Sequence, residues 1–187
     1  MPKRPLRVIP LGGLGEIGKN MMALEYQRDI IVIDAGVLFP EEDMLGVDLV
    51  IPDVSYLVKN KDRVRAIFIT HGHEDHTGAL PYVLQQLNVP VYAPPLACGL
   101  ISVKLKEHKA LKKVTLREIE PGKPIKEGAF RVEFFRVCHS IPDAMGLAIT
   151  TPVGLVIHTG DFKIDHTPAQ GPPTDLSHLA RICADGV

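Results

Sequence analysis

Three histidines and two acids stand within six consecutive residues, His71 to His76, in the order HGHEDH. The stretch follows RAIFIT at 65–70, a β-branched run that is typical of a buried strand. Imidazole nitrogens and carboxylate oxygens are zinc ligands, and so many polar groups cannot all face an apolar core without a large desolvation cost. In an extended loop His71 and His73 point to one side, while Asp75 and His76 begin the next turn. The spacing predicts two adjacent metal ions here, rather than a surface loop that happens to be rich in histidine.

Two further candidate ligands follow later strands. His139 comes after FFRVC and Asp161 after LVIHTG. Alone, each residue is more typical of a packed or turn position than of a ligand. Together they supply a third imidazole for one metal and an acid that can bridge two. Loops at the ends of neighbouring strands are where α/β proteins build their sites, so we expect both residues beside the 71–76 loop.

These residues resemble the signature of the metallo-β-lactamase superfamily, which is an acid after an early strand, HxHxDH, a later histidine and a later aspartate. Asp34, the segment 71–76, His139 and Asp161 take those places in order. Five longer segments are similar to the ribonuclease J family, metal-dependent ribonucleases of the β-CASP group: IPLGGLGEIGKNM, IDAGVLFPEEDMLGVDLVIPD, FITHGHEDHTGALPY, HSIPDAMG and HTGDFKID. The similarity extends from about Val8 to the last residue.

The resemblance implies a ligand set for two Zn²⁺ ions, with Mn²⁺ or Mg²⁺ as alternatives. One zinc ion takes His71, His73 and His139, the other takes Asp75 and His76, and Asp161 bridges the two. Asp75, His76 and Asp161 would then serve catalysis through the metals, and Asp34 would stand behind the ligand loop and support it. The resemblance also implies Ca²⁺ on the acidic loop 41–53, through the Gly46 carbonyl and Asp48. A plain solvated loop is the alternative there.

The implied fold class is α/β, a metallo-β-lactamase αββα sandwich that is incomplete in this chain. With 187 residues, 45% hydrophobic and 23% charged, the chain suits one soluble domain. We expect 1–187 to be the N-terminal part of the lactamase domain, with the β-CASP domain and C-terminal parts absent from this chain. Such a fragment is expected to bind the second metal weakly and to be inactive on RNA.

Hydrophobic patterning predicts the elements that position these residues. Strands are expected at 7–11, 22–26, 29–36, 65–70, 89–94, 114–121, 130–137, 146–151 and 154–161. Helices are expected at 54–59, 77–88, 96–111 and 176–184.

The segment GLGEIG, Gly13 to Gly18, has the glycine spacing of a dinucleotide-binding loop. In that motif the third glycine begins a helix of several turns, whereas Met22, Leu24 and Tyr26 alternate as in a strand. The residues therefore favour a different role, and the resemblance implies a loop beside the metal centre.

The function implied is a zinc-dependent ribonuclease, a 5′-to-3′ exonuclease and endonuclease in RNA decay and processing. Another hydrolase of the same fold, such as a thioesterase or lactonase, and an inactive RNA-binding scaffold are the alternatives. RNA is the expected partner, although the net charge of −1 shows no basic field, and the full-length protein is expected to form a homodimer or homotetramer. No apolar run approaches a membrane span of about 20 residues. Three scattered cysteines without a CxxC pair favour the cytoplasm.

The remaining histidines divide into two groups. His158 either orients a ligand or packs in the core. The others, His108, His166 and His178, are expected to be bystanders.

Overall fold

A computed structural model describes residues 4–109 and 114–187, in which two β-sheets pack face to face. The first sheet has six strands in the order of the chain: β1 (Arg7–Gly12), β2 (Met21–Tyr26), β3 (Asp29–Ile33), β4 (Val64–Phe68), β5 (Val91–Ala93) and β6 (Leu116–Glu118). Strands β1, β2 and β3 form an antiparallel meander, and β3 to β6 are parallel. The carboxyl ends of β3, β4 and β5 therefore meet at one edge.

The second sheet is antiparallel, with the order β10-β9-β8-β7. Its strands are β7 (Ile125–Glu127), β8 (Phe130–Arg136), β9 (Met145–Thr151) and β10 (Gly154–His158). Because β9 lies between them and runs the other way, β8 and β10 end at the same edge of this sheet. The backbone N–H of Met145 donates to the carbonyl of Thr70 at 3.0 Å, which joins that edge to the end of β4.

Helices cover the outer faces of both sheets. They are α1 (Ser55–Lys59), α2 (Glu74–Thr77), α3 (Leu80–Gln86), α4 (Pro95–Glu107) and α5 (Leu176–Ile182), and a 3₁₀ turn occupies Lys61–Arg63. One apolar cluster lies between the first sheet and α1, α3 and α4, a second lies between the two sheets, and a third lies under α5. These layers confirm the predicted αββα sandwich. None of the described helices has the length and apolar character needed to cross a membrane.

Several predicted elements are corrected by the structure. The helix predicted at 77–88 is shorter and is α3, which begins at Leu80 because the N–H of Ala79 donates to the carbonyl of Ala35. The residues before it, Glu74–Thr77, form the separate short helix α2. Strand β3 stops at Ile33, since Asp34 has a φ of 59° and leaves the extended conformation.

The remaining corrections concern lengths and one strand that the pattern did not predict. The strand at 114–121 shrinks to β6, which pairs only with β5 at the sheet edge, and the turn before β8 contains β7. Helix 96–111 ends at Glu107, and its last two predicted residues, 110 and 111, lie outside the described residues.

Gly36 is the place where the first sheet touches the 71–76 loop most closely. A Cβ atom on Gly36 would overlap the carbonyl oxygen of Asp75. The same segment is held by backbone hydrogen bonds, from Ala35 N–H to the carbonyl of His76 at 2.8 Å and from Gly36 N–H to the carbonyl of Asn20 at 3.0 Å. The absence of a side chain at 36 therefore sets how deeply the candidate ligand loop sits.

We expect Gly36→Ala to lower the free energy of unfolding by about 1–3 kcal/mol, because the added methyl group forces the Asp75 backbone to move. Gly99→Ala is the matched control: Gly99 lies inside α4 with open space around its Cα, so alanine should raise stability by about 0.5–1 kcal/mol. Urea unfolding midpoints of the two variants measure the difference. Equal midpoints for Gly36→Ala and the parent protein would contradict the contact.

Candidate metal centre

The six predicted ligands come together at the edge where strands of both sheets end. His71 and His73 follow β4, Asp75 and His76 lie in the first turn of α2, His139 follows β8 and Asp161 follows β10. The packing of one sheet on the other therefore brings the later two residues to the loop that holds the first four. This convergence is the one that the sequence predicts.

Three imidazoles form the first compact donor group. The Nε2 atom of His71 lies 3.0 Å from Nδ1 of His73, and Nε2 of His139 lies 3.3 Å from the same Nδ1. All three nitrogens lie within 4.8 Å of one another. Nitrogens bound to a tetrahedral zinc ion at its usual distance are about 3.3 Å apart, so the spacing fits a zinc ion.

Asp161 lies between this group and a second one. Its Oδ2 atom is 3.8 Å from Nε2 of His139, and its Oδ1 atom is 3.6 Å from Nε2 of His76. Oδ2 of Asp75 is also 3.6 Å from Nε2 of His76. The second compact group among the described residues consists of His71, His76 and Asp161, and Asp75 borders it. Each oxygen of Asp161 thus faces a different group, as a bridging carboxylate requires.

Asp34 is buried behind the ligand loop, with 2% of its surface exposed. Its carboxylate accepts hydrogen bonds from the backbone N–H of Thr70 at 2.8 Å and from the Thr70 hydroxyl at 2.9 Å. It also bonds Nδ1 of His76 at 2.8 Å. Burial by itself raises the pKa of Asp34, but the charge and hydrogen bond of His76 outweigh burial and leave the pKa below its ordinary value.

The hydrogen bonds of Asp34 and Thr70 decide which nitrogen of His71 and of His76 faces the site. Nδ1 of His76 faces a carboxylate and therefore bears hydrogen, which leaves Nε2 to face Asp75 and Asp161. The Thr70 hydroxyl donates to Asp34 and so accepts from Nδ1 of His71, 3.0 Å away. Nε2 of His71 is then free to bind a cation. A hydrogen-bonded carboxylate behind a metal-binding histidine is a usual way to fix its orientation.

The two buried histidines of the candidate centre, His71 and His76, differ in electrostatics. Burial lowers the pKa of His71 to about 3, with the nearby charge of His76 adding to the effect. Burial also tends to lower the pKa of His76, but the charge of Asp34 and hydrogen bonds to Asp161 and Asp34 raise it to about 10. His76 in turn lowers the pKa of Asp161 to about 2. His71 is therefore neutral at pH 7, whereas His76 holds a proton that a cation must displace.

Two residues of this site were not predicted from the sequence. Thr70 links Asp34 to His71, and Asn20 donates from Nδ2 to the carboxylate of Asp75 at 3.2 Å. Thr70 is the last residue of the predicted strand 65–70, and Asn20 lies two residues after the Gly13–Gly18 segment. Their positions directly beside those two features are the only signal that the sequence offers.

The predicted calcium residues lie apart from both donor groups. Asp48 is exposed, and Gly46 lies in an exposed turn with a φ of 77°. Neither of the compact donor groups found among the described side chains contains Asp48. The calcium ion stays a prediction of the resemblance.

The other polar residues of the sequence analysis are placed as follows. His158 ends β10 with little exposed surface, and its Nδ1 accepts from the N–H of Gly160 at 3.2 Å, just before Asp161. His178 bonds Glu133 at 3.0 Å under α5, and His108 packs edge-on against Tyr82. Glu74 pairs with Lys104 of α4.

Comparison with known proteins agrees with the geometry. The family model described as "Metallo-beta-lactamase superfamily" matches residues 14–180. Ribonuclease J 1 of Streptococcus pyogenes is 52% identical over 96% of this chain and 32% of its own length. Ribonuclease J2 of Bacillus subtilis is 47% identical over 97% of this chain and 33% of its own length. The chain thus spans about a third of these relatives.

Solved structures show the same fold at low sequence identity. The metallo-beta-lactamase fold protein YhfI of Bacillus subtilis superposes with a TM-score of 0.58 at 16% identity, covering 84% of this chain and 63% of that one. Family match, sequence relatives and fold agree with one another. The chain therefore belongs to the metallo-beta-lactamase superfamily and is a homologue of ribonuclease J.

Proposed function

We propose that this chain carries the metal centre of a zinc-dependent ribonuclease that hydrolyses RNA phosphodiesters, as a 5′-to-3′ exonuclease and as an endonuclease. The observation that carries the proposal is Asp161, whose two carboxylate oxygens face different histidines: Oδ1 lies 3.6 Å from Nε2 of His76, and Oδ2 lies 3.8 Å from Nε2 of His139. Two divalent cations, when bound, would lower the pKa of a shared water and offset the charge of the reacting phosphoryl group. Mn²⁺ and Mg²⁺ are the alternative ions.

The residues of the chain have distinct parts in this proposal. His71, His73 and His139 would hold one cation through their imidazole nitrogens, and His76 and Asp75 would hold the other. Asp161 carries its negative charge between both groups, and Asp34 with Thr70 keeps the imidazoles turned toward the site. The protein's contribution is thus to hold fixed donors at the spacing that two cations require.

An anionic substrate is supported by the surface next to His139. A cavity of about 330 Å³ is bounded by the 139–144 and 168–172 loops, and Arg136 and Lys163 line it. Guanidinium and ammonium groups are the side chains that bind phosphate. Relatives over 45% identical are called ribonuclease J, which supports RNA rather than a thioester or lactone as the substrate class.

The proposal extends to the longer protein. We propose that a β-CASP domain and a further histidine for the second cation lie in the longer protein, that RNA lies between the two domains, and that the protein is a cytoplasmic homodimer or homotetramer. A calcium ion at Gly46 and Asp48 belongs to the same proposal. The 187 residues alone are then expected not to cut RNA.

Replacing a residue that faces the second donor group should abolish cleavage by the full-length protein. We expect His76→Ala and Asp161→Asn each to lower kcat/KM on 5′-monophosphorylated RNA by roughly 1,000-fold or more, because several kcal/mol of charge stabilisation are lost. The measurement is RNA degradation in zinc or manganese buffer. His178→Ala, which removes contacts with Glu133 and Arg181 away from the six candidate ligands, should keep near-normal activity.

Two outcomes would contradict the proposed function. Intact RNA with the parent protein, together with turnover of a thioester or lactone, would assign the centre to another hydrolase. RNA binding without cleavage, together with a zinc content near zero, would make the chain an inactive scaffold.

Because the pKa of His76 is raised to about 10, we expect the affinity for the second cation to depend on pH. In the folded protein without metal, His76 stays protonated up to about pH 10, whereas in the unfolded chain it loses its proton above pH ~6.5. Protonation of His76 therefore stabilises the fold fully below pH ~6.5, and this stabilisation is lost as the pH rises toward 10. A cation on His76 must displace the proton, and displacement costs less as pH rises. Affinity for the second zinc ion should therefore rise roughly tenfold per pH unit between pH 7 and 9.

The first zinc ion provides the internal comparison for this measurement. Burial lowers the pKa of both His71 and His139, so neither holds a competing proton above pH ~6.5 and the first affinity should depend less on pH. Titration against a zinc chelator of known pH dependence measures both affinities. Identical slopes for the two ions would show that His76 holds no such proton.

A further inference from the structure

The glycine-rich segment Gly12–Asn20 makes a reversal in the chain between β1 and β2. Gly13, Gly15 and Gly18 have φ values of 84°, 74° and 96°, which glycine adopts without strain. A Cβ on Gly12 would overlap the carbonyl of Lys19, and a Cβ on Gly13 would lie 2.6 Å from Oδ1 of Asn20. No helix follows, since β2 begins at Met21. The glycines therefore fold the segment back on itself and bring Asn20 to the metal centre.

Asn20 contacts the Asp75–His76 segment through both its backbone and its side chain. Its N–H donates to the carbonyl of Asp75 at 3.0 Å, and its own carbonyl accepts from the N–H of Gly36 at 3.0 Å. Its Nδ2 atom lies 3.1 Å from the Asp75 carbonyl, 3.2 Å from Oδ2 of Asp75 and 3.1 Å from Nε2 of His76. One amide group thus touches the candidate ligand atoms of two consecutive residues.

The chemistry of these neighbours fixes which way the amide points. The backbone carbonyl oxygen and the carboxylate oxygen of Asp75 are acceptors only. The NH₂ group of Asn20 must therefore face them, since the amide oxygen there would repel both oxygens. Asn20 is therefore a donor to both of these oxygens of Asp75.

We propose that Asn20 is a positioning residue of the second cation site, whose side-chain amide holds the Asp75 carboxylate and the His76 imidazole at the spacing that a divalent cation needs. The glycine-rich segment is then the support for this amide and does not bind a dinucleotide. The inference rests on the two-cation centre proposed above, but it is independent of whether RNA is the substrate.

The Asp75 side chain is more exposed than that of His76 and has fewer contacts to hold it in place. It is 34% exposed, whereas the His76 side chain is 3% exposed and is already held by Asp34. Among the described residues, the amide of Asn20 is the side-chain group that hydrogen-bonds the Asp75 carboxylate. Without this hydrogen bond the Asp75 carboxylate can rotate into solvent. Ordering the carboxylate again would then cost free energy and weaken cation binding. Loss of such a partner usually lowers metal affinity about 10–100-fold.

The test measures zinc affinity in the full-length protein, with no RNA present. For Asn20→Ala we expect the first zinc ion to bind as in the parent protein and the second to bind about 10–100-fold more weakly. Chelator-buffered dialysis with elemental analysis gives the stoichiometry, and Co²⁺ absorption reports the geometry of each site. Asn60→Ala is the matched control: this half-buried asparagine bonds the Tyr56 carbonyl at 2.9 Å, and its loss should leave both affinities unchanged.

Asn20→Asp separates a donor from a ligand. A carboxylate at position 20 would face two oxygens of Asp75, so a positioning amide predicts a second affinity as weak as in Asn20→Ala, or weaker. If residue 20 instead bound the cation through oxygen, the added charge would tighten the second ion. Thermal unfolding in excess chelator verifies that each variant folds, and either variant alone suffices for the test.

Each result decides the inference. Selective weakening of the second ion in both variants supports it. Unchanged affinity in Asn20→Ala, tighter binding in Asn20→Asp, or equal weakening of both ions would overturn it, as would a parent protein that binds only one zinc ion. A parent protein that binds two zinc ions without cutting RNA would refute the proposed ribonuclease while leaving the role of Asn20 intact.

Discussion

The buried carboxylate of Asp34 is the interaction on which the site depends. It lies at the end of β3 in a left-handed backbone conformation that non-glycine residues rarely adopt, and it is almost fully removed from solvent. An unpaired charge at such a position would cost several kcal/mol, so its bonds to Thr70 and His76 are obligatory rather than optional. The same bonds turn His71 and His76 toward the edge of the sheets. Folding of β3 and β4 therefore determines the orientation of the candidate ligands.

Packing between the two sheets determines the remaining distances. His139 and Asp161 belong to the second sheet, and their distance from His76 is set by the apolar layer in which Phe68 and Phe134 pack with ring centres 6.1 Å apart. Close-packed cores deform little, because their side chains interdigitate with few voids into which a neighbour could move. A hydrogen bond between Met145 and Thr70 fixes the two sheets to each other at the edge itself. The packing of the core thus also fixes the spacing of the candidate ligands.

Electrostatic asymmetry follows from that geometry. His71 and His76 are both buried in the same cluster, with ring centres 4.1 Å apart, yet their pKa values move in opposite directions. Only His76 has a carboxylate bonded to one nitrogen and acids near the other. His76 can carry a buried positive charge because carboxylates pair with it. Among the described residues, His71 has no such partner at hydrogen-bond distance and stays neutral beside that charge. Two equal side chains, five residues apart, acquire different protonation states in this way.

The sequence by itself predicted the types of the candidate ligands and their places after strands, because each signal is local: a β-branched run followed by polar residues, or alternation after the glycines. The class of fold was predicted from the resemblance to the metallo-β-lactamase superfamily. The sequence did not predict β7, the separate helix α2, or the parts of Thr70 and Asn20. These depend on contacts between distant residues, as between Asn20 and Asp75, which are 55 positions apart. Distances among the donors, the protonation of His71 and His76, and the contacts of Asn20 after the glycines were decided by tertiary structure, since burial and opposing charges arise only when the sheets pack.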